Sequence, residues 1–310
     1  MVGFAEVEAA AARIAPYVHR TPVMTSRSLD EWLGVRAFLK CEHLQRVGAF
    51  KFRGATNAVQ SLPDDDAPAG VAAHSSGNHA AALALAAAER GIPAYVVMPK
   101  EVRAVKQAAV ARYGAEITYC ENNPESREAT LRDVLARTGA TEIHPYDNER
   151  IIAGAGTAAL ELGEDVPDLD VVIAPVGGGG LLSGTAIATH GLRADVTIIG
   201  GEPQLADDAS RSLTSGERQP PLPPTTIADG LLTGLSERTF AILRAHLDRI
   251  ITVEEHEIVD AMRNVWERTK QLIEPSAAVA VAAVRTADLD GARVGIILSG
   301  GNVDLDALPF

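Results

Sequence analysis

The sequence predicts an α/β protein whose sheet is largely parallel and covered by helices on both faces. Three observations predict it. Short apolar or β-branched runs alternate with longer stretches of helical period, the pattern of βαβ units. Turn and cap residues punctuate the alternation where such units need them. The chain is 310 residues long and 46% apolar, enough to enclose a full-sized core in two domains or one large one.

Taken in order, strands are expected at 37–39, 71–73, 94–98, 116–119, 171–174, 196–200 and 293–298. Helices are expected at 78–90, 103–113, 125–137, 153–162, 181–188 and 255–270. Ser75 and Ser76 are placed to cap the helix that opens near Asn78, and Gly91 with Pro93 ends it. The alanine-rich run 80–88 reads as a helix packed tightly against a neighbour. Gln-Pro-Pro-Leu-Pro-Pro at 219–224 reads as a stiff surface connection, because patterned sequence resumes at once.

Composition narrows the function classes. The net charge is −13 and no Lys/Arg-rich run occurs, so nucleic acid and anionic membrane surfaces are poor partners. The two cysteines, Cys41 and Cys120, make no disulfide framework and fit a reducing compartment. Glu6 and Glu8 stand where a signal peptide carries positive charge. The uncharged stretch 171–192 holds Pro175 and four consecutive glycines, unlike a spanning helix. A cytoplasmic enzyme is expected.

In open α/β sheets ligands gather where strand ends lead into helix N-termini. Four loops of that kind are rich in small and polar residues. In Val-Val-Ile-Ala-Pro-Val-Gly-Gly-Gly-Gly-Leu, 171–181, converging backbone N–H groups and the following helix dipole suit a phosphate. A tight turn needs only one glycine. The run is neither a P-loop nor G-x-G-x-x-G; the nearest dinucleotide-like match, Gly154-Ala-Gly156, lacks a preceding strand and reads as helix packing.

In Val-Gly-Ala-Phe-Lys-Phe-Arg-Gly-Ala, 47–55, one of only five lysines sits between Phe50 and Phe52 in a chain that otherwise prefers arginine. Desolvation frees an amine's lone pair for Schiff-base chemistry, which arginine cannot perform. A lysine snorkelling from a helix reads the same locally, and the local sequence leaves both open. His-Ser-Ser-Gly-Asn-His, 74–79, offers amides, hydroxyls and an imidazole to a carboxylate or phenolic oxygen, or merely opens a helix. Ile-Ile-Leu-Ser-Gly-Gly-Asn, 296–302, presents a hydroxyl at a strand end, or merely turns. Taken together, a phosphate cradle, a desolvated lysine, an oxyanion-type loop and a lone hydroxyl point to a phosphorylated aldehyde, pyridoxal 5′-phosphate.

With these loops in hand, the chain resembles the fold-type II pyridoxal-phosphate enzymes, in their serine racemase and threonine/serine dehydratase branch. The resemblance runs from Thr21-Pro22 to Asn302-Val-Asp-Leu305. It is carried by Phe-Lys-Phe-Arg-Gly-Ala (50–55), Ser-Ser-Gly-Asn-His (75–79), the glycine run with Leu181, Thr-Ile-Ala-Asp-Gly (226–230), Ile-Glu-Pro (273–275) and Ser-Gly-Gly-Asn (299–302). The residue before Phe-Lys, often serine in the group, is Ala49 here. The fold this implies is tryptophan synthase β-like with two domains. Residues 1–69 and 147–310 would bind the cofactor, and 70–146 would form a small mobile domain.

The resemblance also implies roles. Lys51 would bond covalently to the cofactor aldehyde and act as base, with Phe50 against the pyridine ring and Gly230 leaving room on its other side. Gly177, Gly178, Gly179, Gly180 and Leu181 would hold the phosphate. Asn78 would bond the ring's phenolic oxygen, and Ser299 would face its nitrogen. A neutral hydroxyl there makes a weaker electron sink, favouring loss of a β-hydroxyl over transamination. Ser75, Ser76, Gly77, Asn78 and His79 would clasp the substrate carboxylate, with Arg127 reaching in on closure.

Ser76, where many plain dehydratases carry alanine, would return a proton on the face opposite Lys51, or else only cap a helix. Gly-Glu-Pro-Gln-Leu-Ala-Asp-Asp at 201–208 resembles the subgroup's cation loop, with Glu202, the Ala206 carbonyl and Asp208 as ligands for Mg²⁺ or Ca²⁺. A homodimer is implied. An end at Phe310, before any effector domain, implies no feedback inhibition by isoleucine.

The expected activity is elimination of ammonia from L-serine or L-threonine, with racemisation of serine beside it. The alternatives are ammonia loss from threo-3-hydroxyaspartate, a cysteine-synthase-like β-replacement, and, from another class, a non-catalytic amino-acid sensor.

Overall fold

The computed structural model describes residues 2–102, 104–223 and 225–310, without the side chains of 104–106. Arg103 of the expected helix 103–113 and Pro224 of the expected connection lie outside the described residues.

Ten strands occur among the described residues: β1 (Val23–Met24), β2 (Arg36–Lys40), β3 (Val71–His74), β4 (Ala94–Pro99), β5 (Glu116–Cys120), β6 (Thr141–Glu142), β7 (Val171–Pro175), β8 (Thr197–Pro203), β9 (Arg249–Val253) and β10 (Arg293–Ile297). They form a six-stranded sheet ordered β1-β2-β10-β7-β8-β9 and a four-stranded sheet ordered β5-β4-β3-β6. Every pairing is parallel except β1 with β2. The α/β fold with parallel-rich sheets flanked by helices is therefore the one the alternating pattern predicts.

Burial explains why that pattern is legible. In β7, Val171 and Ile173 enter one core while Val172 and Ala174 enter the core on the other face. A strand covered on both sides needs apolar residues at every position, hence the unbroken run. The helix Pro275–Thr286 is buried from Ser276 through Val284 and carries almost only alanine and valine, so it packs closely under the sheet. The alanine-rich helix Asn78–Arg90 is likewise buried along most of its length, as expected.

Strands β1, β6 and β9 have no counterpart among the sequence expectations. The first two are two residues long, too short for any period to show. Strand β9 is a half-exposed edge strand that leads straight into the helix Glu255–Thr269.

The expectation that Ser75 or Ser76 caps the helix Asn78–Arg90 is corrected. The N-cap is Gly77 and no side chain caps it. Ser75 Oγ instead accepts from the N–H of Gly77, closing its own small turn (3.3 Å). The hydroxyl of Ser76 is thus left without the capping role.

Candidate active site

A cavity of about 360 Å³ opens where the carboxyl ends of β3, β7 and β10 face one another across the two sheets. Phe50, Lys51, Ser75 to His79, Gly177 to Leu181, Gly230, Ser299 and Arg127 all line it. Residues far apart in the chain are thereby brought to one place.

Lys51 is the first residue of the helix Lys51–Gln60, whose N-cap, Phe50, makes no side-chain cap. The segment before it is pinned from the opposite strand end. Phe50 N–H donates to Ser299 O at 2.9 Å, and Ala49 bridges Gly300. Asn302 Nδ2 donates to Val47 O at 2.8 Å, where Val47 holds a left-handed φ of 57°. A β-branched residue adopts that conformation only when its surroundings impose it.

The Lys51 amine donates to Pro145 O at 2.9 Å and forms no ion pair among the described residues. Desolvation lowers its pKa from the ordinary 10.5 to about 8, so an appreciable fraction is neutral at physiological pH. That decides the choice left open by the local sequence: Lys51 does not snorkel to solvent but ends inside the cavity.

The glycine loop offers its amides. Val176 N–H donates to Gly201 O and Ser183 N–H to Gly179 O, both at 2.8 Å. Between them no backbone amide finds a protein acceptor among the described residues, and the helix Gly180–Leu192 starts there. The glycines also have packing reasons. A Cβ on Gly178 would stand 2.4 Å from Cδ1 of Tyr146, and Gly179 has φ +84°. Gly230 similarly faces Ser276 Oγ at 2.9 Å, so packing accompanies the space expected beside a ring.

The 75–79 loop has the same character. Ser75 N–H is paired with Val97 O, whereas the N–H groups of Ser76, Asn78 and His79 have no protein acceptor among the described residues. The His79 side chain is turned away. Its Nε2–H donates to Ile143 O at 3.0 Å, its Nδ1 is buried without a partner, and burial pushes its pKa down to about 3. What His79 offers the cavity is its backbone N–H.

Asn78 Nδ2 donates to Glu274 Oε1 and its Oδ1 accepts from Asn302 Nδ2, each at 2.9 Å. One Nδ2 hydrogen is thus left for a ligand oxygen. Arg127 Nε is buried with no partner among the described residues, while Nη2 donates to Asn122.

Several lining residues escaped the sequence reading. Tyr146, Pro145 and Thr233 carry no motif signal, because only packing brings them to the glycine loop. Glu274 and Asn302 sat within quoted motifs and were given no role. His144 accepts at Nδ1 from Asp147 N–H (2.9 Å), and burial lowers its pKa to about 4, so its ring stays neutral beside Lys51.

The expected cation ligands lie outside this cavity. Both oxygens of buried Glu202 accept backbone N–H groups, from Ala209 and Ser210 at 2.8 Å each. Burial, with Asp208 and Asp207 nearby, raises its pKa to about 8, and burial raises Asp208 as well. No group of three or more His, Cys, Asp and Glu among the described residues is arranged to hold a metal. Two carboxylates and the Ala206 carbonyl are the donors present.

The four parts together fit a phosphorylated aldehyde: unpaired amides at a helix start, a partly neutral lysine, an amide at phenolic-oxygen range and a strand-end serine. The profile of the family described as "Pyridoxal-phosphate dependent enzyme" matches residues 14–300. The chain belongs to that family.

Among these pyridoxal-phosphate enzymes it is similar to the "beta-hydroxyaspartate dehydratase" of Paracoccus denitrificans, 47% identical over 99% of this chain and 98% of the relative. The crystal structure of serine racemase from Dictyostelium discoideum matches with a TM-score of 0.94 at 46% identity, covering 98% and 99% of the two chains. A crystal structure of a bacterial "Threonine deaminase", its source abbreviated "T.th.", matches at 0.93 and 44%, with coverage of 98% and 99%. The chain is a fold-type II pyridoxal-phosphate enzyme of the serine racemase branch, as its motifs implied. No helix among the described residues is long and apolar enough to cross a membrane.

Proposed function

We propose that this enzyme removes ammonia from L-serine or L-threonine, giving pyruvate or 2-oxobutyrate, and racemises serine at the same site. The observation that carries the reading is the pairing of a desolvated Lys51 with a Ser76 hydroxyl that has no capping duty, both lining one cavity. Bound pyridoxal phosphate supplies the electron sink that makes the Cα–H of an amino acid acidic.

The chain's own residues do the rest. The amides of Gly177 to Leu181 hold the phosphate, Phe50 and Gly230 flank the ring, Asn78 donates to its phenolic oxygen and Ser299 faces its nitrogen. The N–H groups of Ser76, Asn78 and His79, with the Ser75 turn and Gly77, take the substrate carboxylate. Lys51 accepts the α-proton. When the β-hydroxyl leaves, one water lost and one regained leave the 2-oxo acid and ammonia. When Ser76 returns a proton to the other face first, the enantiomer forms.

A second reading has one specific support. Arg127 Nε is buried without a partner among the described residues at the cavity wall. A cation so placed favours a substrate with a second carboxylate, such as threo-3-hydroxyaspartate. Comparing kcat/KM for L-serine, L-threonine and L-threo-3-hydroxyaspartate, with and without sulfide, separates both readings from β-replacement. A preference for the dicarboxylate above tenfold that vanishes in Arg127→Ala selects the second.

Residues 70–146, which hold the four-stranded sheet, form the small mobile domain in this reading, with 1–69 and 147–310 binding the cofactor. Glu202, Ala206 O and Asp208 hold Mg²⁺ or Ca²⁺: the two carboxylates, both pushed up by burial, present hard oxygen donors whose charge a divalent cation compensates. The acidic surface and two buried free cysteines support a cytoplasmic homodimer that binds neither nucleic acid nor membrane.

A further inference from the structure

Behind the cavity, four charged side chains meet in the interior. Lys40 ends β2, Glu42 lies just after it, Arg53 sits in the first turn of the helix Lys51–Gln60, and Glu161 projects from the helix Glu149–Asp165. The side chains of Lys40, Glu42 and Arg53 are wholly buried, and Glu161 is nearly so.

Arg53 grips both carboxylates with its whole fork. Nε and Nη2 donate to Glu42 at 2.7 and 2.9 Å, and Nη1 and Nη2 donate to Glu161 at 2.7 and 2.8 Å. Nη1 also donates to Thr157 Oγ1 at 3.2 Å. Lys40 Nζ donates to Glu161 Oε2 at 2.6 Å, and Thr21 Oγ1 donates to Glu42. Two cations and two anions sum to zero. Burial alone would raise the Glu42 pKa, but the charge and hydrogen bonds of Arg53 hold it below the usual range.

A buried ion pair is seldom a net source of stability, since apolar residues of like volume do as well. What it supplies is direction: a planar fork matched to two carboxylates has one orientation. Direction is what this helix lacks elsewhere, because no side chain caps its start. Immediately beyond Arg53, Gly54 meets the neighbouring helix backbone to backbone, and a Cβ on Gly154 would stand 2.7 Å from Arg53 O. The helix is therefore clamped at Arg53 and Gly54, two and three residues past Lys51.

We propose that Arg53 is a positioning residue, whose buried fork to Glu42 and Glu161 fixes the first turn of this helix and so aims Lys51 at the cofactor aldehyde. This rests on the reading of Lys51 as the lysine that bonds the cofactor. Because the quartet is neutral, it aims the amine without adding charge to it.

The test uses the full chain. Wild type, Arg53→Lys and Glu161→Gln are stripped of cofactor and retitrated with pyridoxal phosphate, following the visible spectrum. Borohydride trapping at Lys51 is then timed at saturating cofactor and read by peptide mass, with circular dichroism and thermal midpoints alongside. Arg53→Lys keeps the charge and loses the fork. It should stay folded, bind cofactor at least tenfold more weakly and trap Lys51 at least tenfold more slowly. Glu161→Gln, with one of the two carboxylates neutralised, should show the same loss to a smaller degree.

Wild-type affinity and trapping rate in a folded Arg53→Lys would overturn the proposal. Loss of the fold in both variants would overturn it too, by making the quartet a stability element only. Failure of wild type itself to be trapped at Lys51 would instead refute the assignment of the lysine.

Discussion

The Lys51 amine donates to the carbonyl of Pro145 across 2.9 Å, an uncharged acceptor where a surface lysine usually meets a carboxylate. A carbonyl orients the amine without stabilising its proton as a carboxylate would. Desolvation therefore acts unopposed, and the pKa falls to about 8.

Only the neutral amine attacks an aldehyde, so the rate of cofactor capture by stripped enzyme should rise with pH and level off above a midpoint near 8. Stopped-flow absorbance across the range from about two pH units below that midpoint to about two above measures it. A rate still climbing at the upper end would show an ordinary, solvated lysine.

Ser76 gives a prediction of ratio. Its hydroxyl caps no helix, so Ser76→Ala should leave the thermal midpoint nearly unchanged. Formation of D-serine should fall by roughly 100-fold or more, the scale of a lost general acid, while elimination from L-serine changes little. Chiral product analysis beside a pyruvate assay reads both, and equal losses would return Ser76 to a structural role.

Glu202 links the cation to pH. With its folded pKa raised to about 8 from an ordinary 4.5, the carboxyl stays protonated in the native state across that window. Cation-free protein should therefore lose stability as pH rises from 4.5 to about 8. A divalent cation needs the ionised form, so Mg²⁺ should raise the thermal midpoint more near the top of that window than near its bottom. Glu202→Gln should abolish the difference. A cation effect independent of pH would place the ion elsewhere.

Gly178 tests the phosphate loop through its packing. A methyl group there would lie 2.4 Å from the Tyr146 ring, so loop or ring must move. Overpacking of this kind costs about 1–3 kcal/mol, and Gly178→Ala should weaken cofactor binding roughly tenfold or more. Unchanged binding would mean that the ring yields freely and the loop's geometry does not depend on it.

Much of the fold and the centre of the site were readable because their physics is local. Strands such as β7 announce themselves by unbroken apolar runs, and Gly177 to Gly180 and Lys51 by residue types that few other roles require. Tyr146 and Pro145 were not readable, since they reach the site through the crossover between the two sheets and resemble any loop residues. Arg53 lay inside a quoted motif, yet its partners Glu42 and Glu161 lie 11 and 108 positions away, a separation no spacing rule spans. The capping expectation for Ser75 and Ser76 failed because Gly77 intervenes before the first helical residue.

The most direct measurement is the visible spectrum of purified protein with pyridoxal phosphate, followed by addition of L-serine with pyruvate and D-serine assayed together. A band that depends on Lys51, is lost in Lys51→Ala and shifts with serine as both products form is the predicted result. No band after adding cofactor, or turnover in Lys51→Ala comparable to wild type, would contradict the assignment of Lys51 and of the reaction built on it.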